Sequence, residues 1–317
     1  VATTDPLQDL DPIEADWIAA DWGTSSLRLW AMNAAGETLA HASSSDGMGR
    51  LSREEYEGCL LREAAAWLPQ ESGRRVPVIV CGMAGARQGW REAAYRAVPC
   101  PPVAAAVLTR VETADRRLEV NIIPGLCQAE PPDVMRGEET QLAGLVAGGM
   151  TEGTVCLPGT HSKWVRLEAG EVSSFRTFMT GELFSVIGEH SILRHSLAES
   201  PEAFDQPAFL EAVRETLAGP QNLTAALFSI RARGLLMEGA GAGSRERLSG
   251  HLIGAELAAC RPLWESGAVH LLGSGALASL YALALEHSGA APVVEDAEKL
   301  TLAGLAQARR SMKEDRR

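Results

Sequence analysis

Two stretches of this chain, one entered at Ile18 and the other at Val155, are written on the same plan. The first reads Ile18-Ala19-Ala20-Asp21-Trp22-Gly23-Thr24-Ser25-Ser26, then an apolar run, then Gly36-Glu37; the second reads Val155-Cys156-Leu157-Pro158-Gly159-Thr160-His161-Ser162, then an apolar run, then Gly170-Glu171. Both are strand, Gly-Thr turn with a serine, returning strand and turn. A plan that restarts after the Gly148-Gly149 break, each copy opening a domain, predicts a duplicated α/β architecture with two facing halves. At 317 residues and 46% hydrophobic content, the chain has material for two cores.

The surrounding pattern divides accordingly. A polar segment over 1–16 precedes a first domain over 17–149, and a second domain covers 150–295. A helix over 296–317, acidic early and carrying Arg309-Arg310 late, is expected to pack back on the first domain. In the first half, Trp17 to Ala20 and Leu27 to Met32 predict a hairpin. Ser52 with Glu55 forms a capping box ahead of a helix, and Val78 to Cys81 is a buried-type strand ending in Gly82-Met83-Ala84-Gly85-Ala86-Arg87. Val120 to Ile123 is a further strand, and a helix starts near Gly137. In the second half, strands are expected at Thr154 to Leu157, Trp164 to Leu167 and Val269 to Leu272, and the rest is helix-rich. Gly239 to Gly243 follows no strand and predicts a connection rather than a cofactor loop.

The formal net charge of -12, without a dense Lys/Arg block, argues against a nucleic-acid or anionic-membrane surface. No apolar run approaches a bilayer span, and the polar start is unlike a signal peptide, so a cytoplasmic protein is expected. Cys59, Cys81, Cys100, Cys127, Cys156 and Cys260 are scattered without a Cys-x-x-Cys pair, which predicts reduced core thiols rather than a disulfide framework or zinc site.

Two Gly-Thr turns, one from each half, can grip a polyphosphate between them. Gly23 and Gly159 allow close backbone approach, and Thr24, Ser25, Thr160, His161 and Ser162 add donors. No Walker lysine motif occurs, so a P-loop enzyme is disfavoured. Asp21, at the end of a strand and just before its turn, is placed to hold hydrated Mg²⁺ against the phosphates. Transfer to an alcohol also needs a carboxylate for the hydroxyl proton, and Gly137-Glu138-Glu139-Thr140-Gln141 offers two at a helix start. Nucleophilic catalysis by Ser162 beside His161 is disfavoured, because no Gly-x-Ser-x-Gly elbow surrounds it.

These strings carry a resemblance. Asp21-x-Gly23-Thr24-Ser25-Ser26-x-Arg28 resembles the first phosphate motif of sugar kinases in the actin/hexokinase/Hsp70 superfamily, and Gly159-Thr160-His161-Ser162 resembles the second. Gly273-Ser274-Gly275-Ala276 resembles the adenosine motif. More narrowly, Cys81 through Trp90 with Tyr95, Met135 through Gln141, Leu157 through Trp164, and Phe178-Met179-Thr180-Gly181-Glu182 resemble the 2-dehydro-3-deoxygalactonokinases, from Trp17 to about Ala308.

The resemblance implies two ribonuclease H-like, actin-like ATPase domains with the active site in the cleft between them. It further implies ATP and Mg²⁺ as cofactors, and transfer of the γ-phosphate to the terminal hydroxyl of a 2-keto-3-deoxy sugar acid in galactonate breakdown. Related kinases carry a Gly-Asp pair ahead of the second phosphate turn, and here Gly137-Glu138 stands in its place, leaving the base open between Glu138 and Glu139. Arg28, Arg87, Gln88 and Trp90 are the expected substrate contacts, since an Arg fork matches a carboxylate. The expected partner is thus a small sugar acid, with a homodimer left open. A phosphohydrolase of the same superfamily and a non-catalytic sugar or nucleotide sensor stay as alternatives.

Overall fold

A computed structural model of the chain describes residues 13–70, 73–197, 204–237, 242–273 and 275–314. The chain divides into two compact units, one of 1–149 with 298–317 and the other of 150–297. Ser274 and most of the Gly239 to Gly243 connection lie outside the described residues, as does most of the polar segment over 1–16.

The first unit begins with β1 (Trp17–Trp22), β2 (Leu27–Met32) and β3 (Thr38–Ser44), followed by α1 (Glu55–Ala64) and β4 (Val76–Gly82). Next come β5 (Arg96–Ala97), β6 (Thr109–Val111), β7 (Leu118–Ile122), β8 (Leu126–Gln128), β9 (Asp133–Met135) and α2 (Glu138–Ala147). The second unit contains β10 (Gly153–Leu157), β11 (Ser162–Glu168), β12 (Glu171–Phe178), α3 (Thr180–His190), α4 (Gln206–Ala218), α5 (Leu223–Leu236) and α6 (Ser244–Ala259). It continues through α7 (Arg261–Trp264), β13 (Ala268–Leu272), α8 (Gly275–His287) and β14 (Ala291–Glu295), and α9 (Ala297–Glu314) then returns the chain to the first unit.

The two main sheets have the same topology. The first is ordered β3-β2-β1-β4-β7-β6 and the second β12-β11-β10-β13-β14. In each, three antiparallel strands are followed by two that run parallel to the first strand of the unit, and the first sheet alone adds β6, antiparallel to β7, at its edge. This is the ribonuclease H-like, actin-type arrangement, and it repeats the duplication written in the sequence. Parallel pairing needs a crossover, which α8 supplies between β13 and β14.

β1 is apolar almost throughout because both its faces are covered. Its alternation sends Ile18, Ala20 and Trp22 to one side, with Tyr56 and Leu60 of α1. Trp17 and Ala19 go to the other, with Leu305 and Ala308 of α9. α9 lies so close to α2 that a Cβ on Gly304 would come within 1.8 Å of the Thr140 carbonyl, and one on Gly144 within 2.1 Å of the Leu300 carbonyl. Glycine at both positions is what lets these helix backbones touch.

The capping box is half built: the Glu55 carboxylate accepts the Ser52 backbone N–H at 2.7 Å, ahead of α1. Cys59, Cys81, Cys156 and Cys260 are buried, and Cys100 and Cys127 are partly buried. Among the described residues no helix is long and apolar enough to cross a membrane.

Candidate active site

The parallel pairing of β1 with β4 sets Trp22 opposite Gly82 and Asp21 opposite Cys81, so both strands end at the same edge of the sheet. That edge, at the carboxyl ends of parallel strands, is where α/β sheets receive ligands. Gly82 leaves its strand at φ +85°, and a Cβ there would sit 2.6 Å from the Trp22 carbonyl and 3.4 Å from Asp21 Oδ1. Gly137, at φ +105°, precedes α2, and a Cβ on it would meet the Gly82 backbone at 3.4 Å. Two glycines in a backbone region that side chains rarely enter thus bring Asp21 and the Glu138–Glu139 helix start together.

Asp21 is partly buried, and its Oδ2 accepts from Arg28 Nη2 at 2.5 Å. Its Oδ1 takes only a long contact from the Cys81 thiol, at 3.6 Å. Beyond it the turn is braced from outside: the Gly23 carbonyl accepts from Met48 N at 3.0 Å and the Thr24 carbonyl from Gly49 N at 2.9 Å. Thr24, Ser25 and Ser26 are exposed. With the carbonyls taken by the 47–49 segment, exposed Thr24 and Ser25 are left with their donors, the kind of group an anion accepts.

The two glutamates differ. Glu138 is half-buried, and its Oε2 accepts the Arg136 backbone N–H at 2.9 Å. Glu139 is fully buried, accepting from Gly137 N at 2.7 Å and from the Thr140 hydroxyl at 3.1 Å. Burial, reinforced by the Glu138 charge, pushes the Glu139 carboxyl up to about 8. Folded protein therefore holds a proton there that the unfolded chain releases above an ordinary value of 4.5. That stabilisation is complete at acid pH and is lost as pH rises from about 4.5 towards 8. Glu139→Gln is expected to flatten this part of the stability profile in urea titrations at about pH 5.5 and 8.5; an unchanged slope would assign the effect to another group.

The expected substrate contacts separate. Arg87 and Gln88 are exposed, Arg87 pairing loosely with Glu92 at 3.5 Å. Trp90 is buried, with its ring 5.8 Å from those of both Trp22 and Tyr56. It supports the loop from the core rather than facing solvent. Arg28 is spent on Asp21 and on Glu298, the latter at 3.3 Å.

In the second unit, the second Gly-Thr turn and the segment after β13 share one cavity. Gly159 and Thr160 line it with Ala276, and α3, α6 and α8 add Thr180, Phe184, Arg245 and Leu277, around a volume of about 450 Å³. The Arg245 guanidinium lies 4.8 Å from the Phe184 ring centre, which gives this mostly apolar space a flat cationic wall. A Cβ on Gly181 would come within 2.4 Å of the Gly159 carbonyl, so the start of α3 sits directly on the turn. Glu182 N donates to the Thr160 carbonyl at 2.9 Å, and Glu182 Oε2 is 2.5 Å from His161 Nε2.

Ser162 differs from its turn neighbours. It is fully buried, and its hydroxyl donates to Glu256 Oε2 at 2.7 Å, because β11 starts here and turns this side chain inward. Glu256 also accepts from Trp164 Nε1 at 2.7 Å, from the Tyr281 hydroxyl at 2.8 Å and from the Thr180 hydroxyl. Glu256 carries almost no signal in the sequence, only that of one acid inside Leu252-Ile253-Gly254-Ala255-Glu256-Leu257. Gly273 and Gly275 flank Ser274, which lies outside the described residues, and Gly275 opens α8 at φ +68°.

With regard to Mg²⁺, no group of three His, Cys, Asp or Glu side chains is gathered among the described residues. The single carboxylate of Asp21, with one oxygen only weakly engaged, fits an ion kept in its water shell and held mainly by phosphate oxygens.

The family model described as 2-keto-3-deoxy-galactonokinase matches residues 21–308. A protein of Rhizobium meliloti (strain 1021) named "Probable 2-dehydro-3-deoxygalactonokinase DgoK1" is 44% identical over 304 residues, covering 93% of this chain and 97% of the relative. The 2-dehydro-3-deoxygalactonokinase of Escherichia coli (strain K12) is 34% identical over 279 residues, covering 87% and 91%. The crystal structure of a "putative 2-dehydro-3-deoxygalactonokinase protein" from Sinorhizobium meliloti superposes with a TM-score of 0.86 at 43% identity, covering 93% of this chain and 99% of that one. The matched span includes the Asp21 turn, the Gly82 and Gly137 contact, the Gly159 turn and the Glu256 hub, and on it the chain belongs to the 2-keto-3-deoxy-galactonokinase family.

Proposed function

We propose that this protein transfers the γ-phosphoryl group of ATP to the terminal hydroxyl of a 2-keto-3-deoxy sugar acid, 2-dehydro-3-deoxy-D-galactonate, giving its 6-phosphate. The observation that carries this reading is the meeting of Asp21, Gly82 and the Gly137–Glu138 helix start at one sheet edge. Family membership supplies the substrate class.

In this reading the half-buried Glu138 orients the substrate hydroxyl and takes its proton, as the new bond from that oxygen to the γ-phosphorus forms and the bond to the ADP oxygen breaks. Glu139, buried and held neutral, fixes the helix start beneath it. The donors of Thr24, Ser25, Gly159 and Thr160 serve the phosphate oxygens, with His161 beside them, and the cavity at Ala276 takes the adenosine. Asp21 would hold Mg²⁺ through water, and the ion would neutralise phosphate charge. Arg87 and Gln88 are kept as outer substrate contacts. ATP as co-substrate favours the cytoplasm as the compartment.

An ADP-release assay over keto-deoxy sugar acids and plain aldoses tests the proposal. Stimulation confined to keto-deoxy acids is the expected result; the same rate without any acceptor would favour a phosphohydrolase. Glu138→Gln is expected to cut the acid-stimulated kcat by about 10²-fold or more, while the Glu139 stability profile, set first by burial, persists in weakened form. Near-normal turnover would remove Glu138 from the mechanism.

A further inference from the structure

We propose that Arg136 receives the carboxylate of the sugar acid and is the residue that separates acids from neutral sugars, an inference that rests on the kinase reading above. Its guanidinium is the one that has two buried nitrogens without a hydrogen-bond partner among the described residues. Nη2 donates to the Ala93 carbonyl at 2.8 Å. Nε and Nη1 are buried and have no hydrogen-bond partner among the described residues. A buried cationic donor without an acceptor is costly, and folds seldom keep one unless something arrives to meet it.

The surroundings favour a planar anion. The guanidinium carbon lies 4.4 Å from the centre of the Tyr95 ring, which fixes the plane of the fork. Gly85 makes the space: a Cβ there would lie 2.6 Å from Nη1 and 2.9 Å from the Ile122 side chain. Tyr95 is 43% exposed, so the ring that covers this group itself reaches solvent. Each unmet N–H on this flat, permanently charged guanidinium suits a carboxylate oxygen.

Position ties this to the reaction. Arg136 stands two residues before Glu138, and its own backbone N–H donates to Glu138 Oε2 at 2.9 Å. One short segment thus carries a donor suited to one end of a keto-deoxy acid and a carboxylate suited to the hydroxyl at the other. A neutral sugar would leave the fork unmet, and a site with an unmet buried polar group rejects such an analogue strongly.

The test compares steady-state kinetics of the full chain and three variants, Arg136→Lys, Arg136→Ala and Gly85→Ala. The substrates are 2-dehydro-3-deoxy-D-galactonate and the 3-deoxy-2-ketohexose in which its carboxylate is replaced by a hydroxymethyl group. Arg136→Lys, which keeps the charge and loses the fork, is expected to raise the KM for the acid by about 10- to 100-fold. The KM for ATP should move by less than about twofold, and kcat/KM for the neutral analogue should stay near the wild-type value. Gly85→Ala, which displaces Nη1 from the opposite side, should reproduce the acid-specific loss, and it keeps the idea testable if Arg136→Ala fails to fold. Equal losses on acid and neutral analogue, or an unchanged KM for the acid, would overturn the inference and leave the kinase reading standing. A wild-type protein stimulated by no keto-deoxy acid would overturn both.

Discussion

Asp21→Asn is expected to lower kcat by about 10²- to 10³-fold, the loss that follows removal of one preorganised electrostatic partner from a charge-transferring site. The far-UV circular dichroism and the thermal midpoint should hardly change. The reason lies in how Asp21 is placed: its ion pair with Arg28 is partly open to solvent, with side chains 20% and 38% exposed. Pairs of that kind contribute about 0–1 kcal/mol. Strand β1 is held instead by Trp17, Ile18, Ala20 and Trp22, none of which the substitution touches. A folded Asp21→Asn protein with near-normal turnover would remove Asp21 from the mechanism.

Glu256→Ala is expected to have the largest effect on stability. Four donors from three elements end on this one carboxylate: Ser162 and Trp164 of β11, Thr180 of α3 and Tyr281 of α8. Glu256 is 2% exposed, so water does not replace it. Breaking a buried charged network by removing its centre costs on the order of 3–5 kcal/mol, which lowers the thermal midpoint by about 10 °C. Thr180 and Tyr281 also line the cavity with Gly159 and Thr160. The KM for ATP should therefore rise, and saturating ATP should recover part of the lost midpoint. Glu256→Gln keeps one acceptor oxygen and should fall between wild type and alanine on both scales. Differential scanning fluorimetry with and without ATP reads these quantities, and an unchanged midpoint in Glu256→Ala would contradict the hub.

Much of this was legible in the sequence because it depends on local order. The strand runs, the Gly-Thr turns and the restart after Gly149 follow from alternation and turn chemistry alone, and the matching strand orders repeat that plan. What was not legible is where a polar side chain points once a strand is placed. By its turn string Ser162 reads as a phosphate donor with Gly159, Thr160 and His161, yet Ser162 and Trp164 are two apart on β11 and so share a face, and both bond to Glu256. A period-of-two reading from Trp164 backwards would have sent Ser162 inward.

Trp90 illustrates the same limit in a loop. Its position in a Gly-rich string suggested a ligand, whereas its ring completes a cluster with Trp22 and Tyr56 that no local pattern announces. The choice between Glu138 and Glu139 likewise rests on burial, since two adjacent acids at a helix start read alike until one is found at 0% exposure. Arg136 carries no signal of its own in the sequence, because only the fold leaves its Nε and Nη1 buried without acceptors.

The most direct measurement is ³¹P nuclear magnetic resonance of the protein with limiting ATP, Mg²⁺ and 2-dehydro-3-deoxy-D-galactonate. The account predicts one phosphomonoester resonance, coupled to the terminal methylene protons of the sugar acid, growing as the γ-phosphate signal declines. Inorganic phosphate appearing instead, at a rate indifferent to the acid, would contradict it.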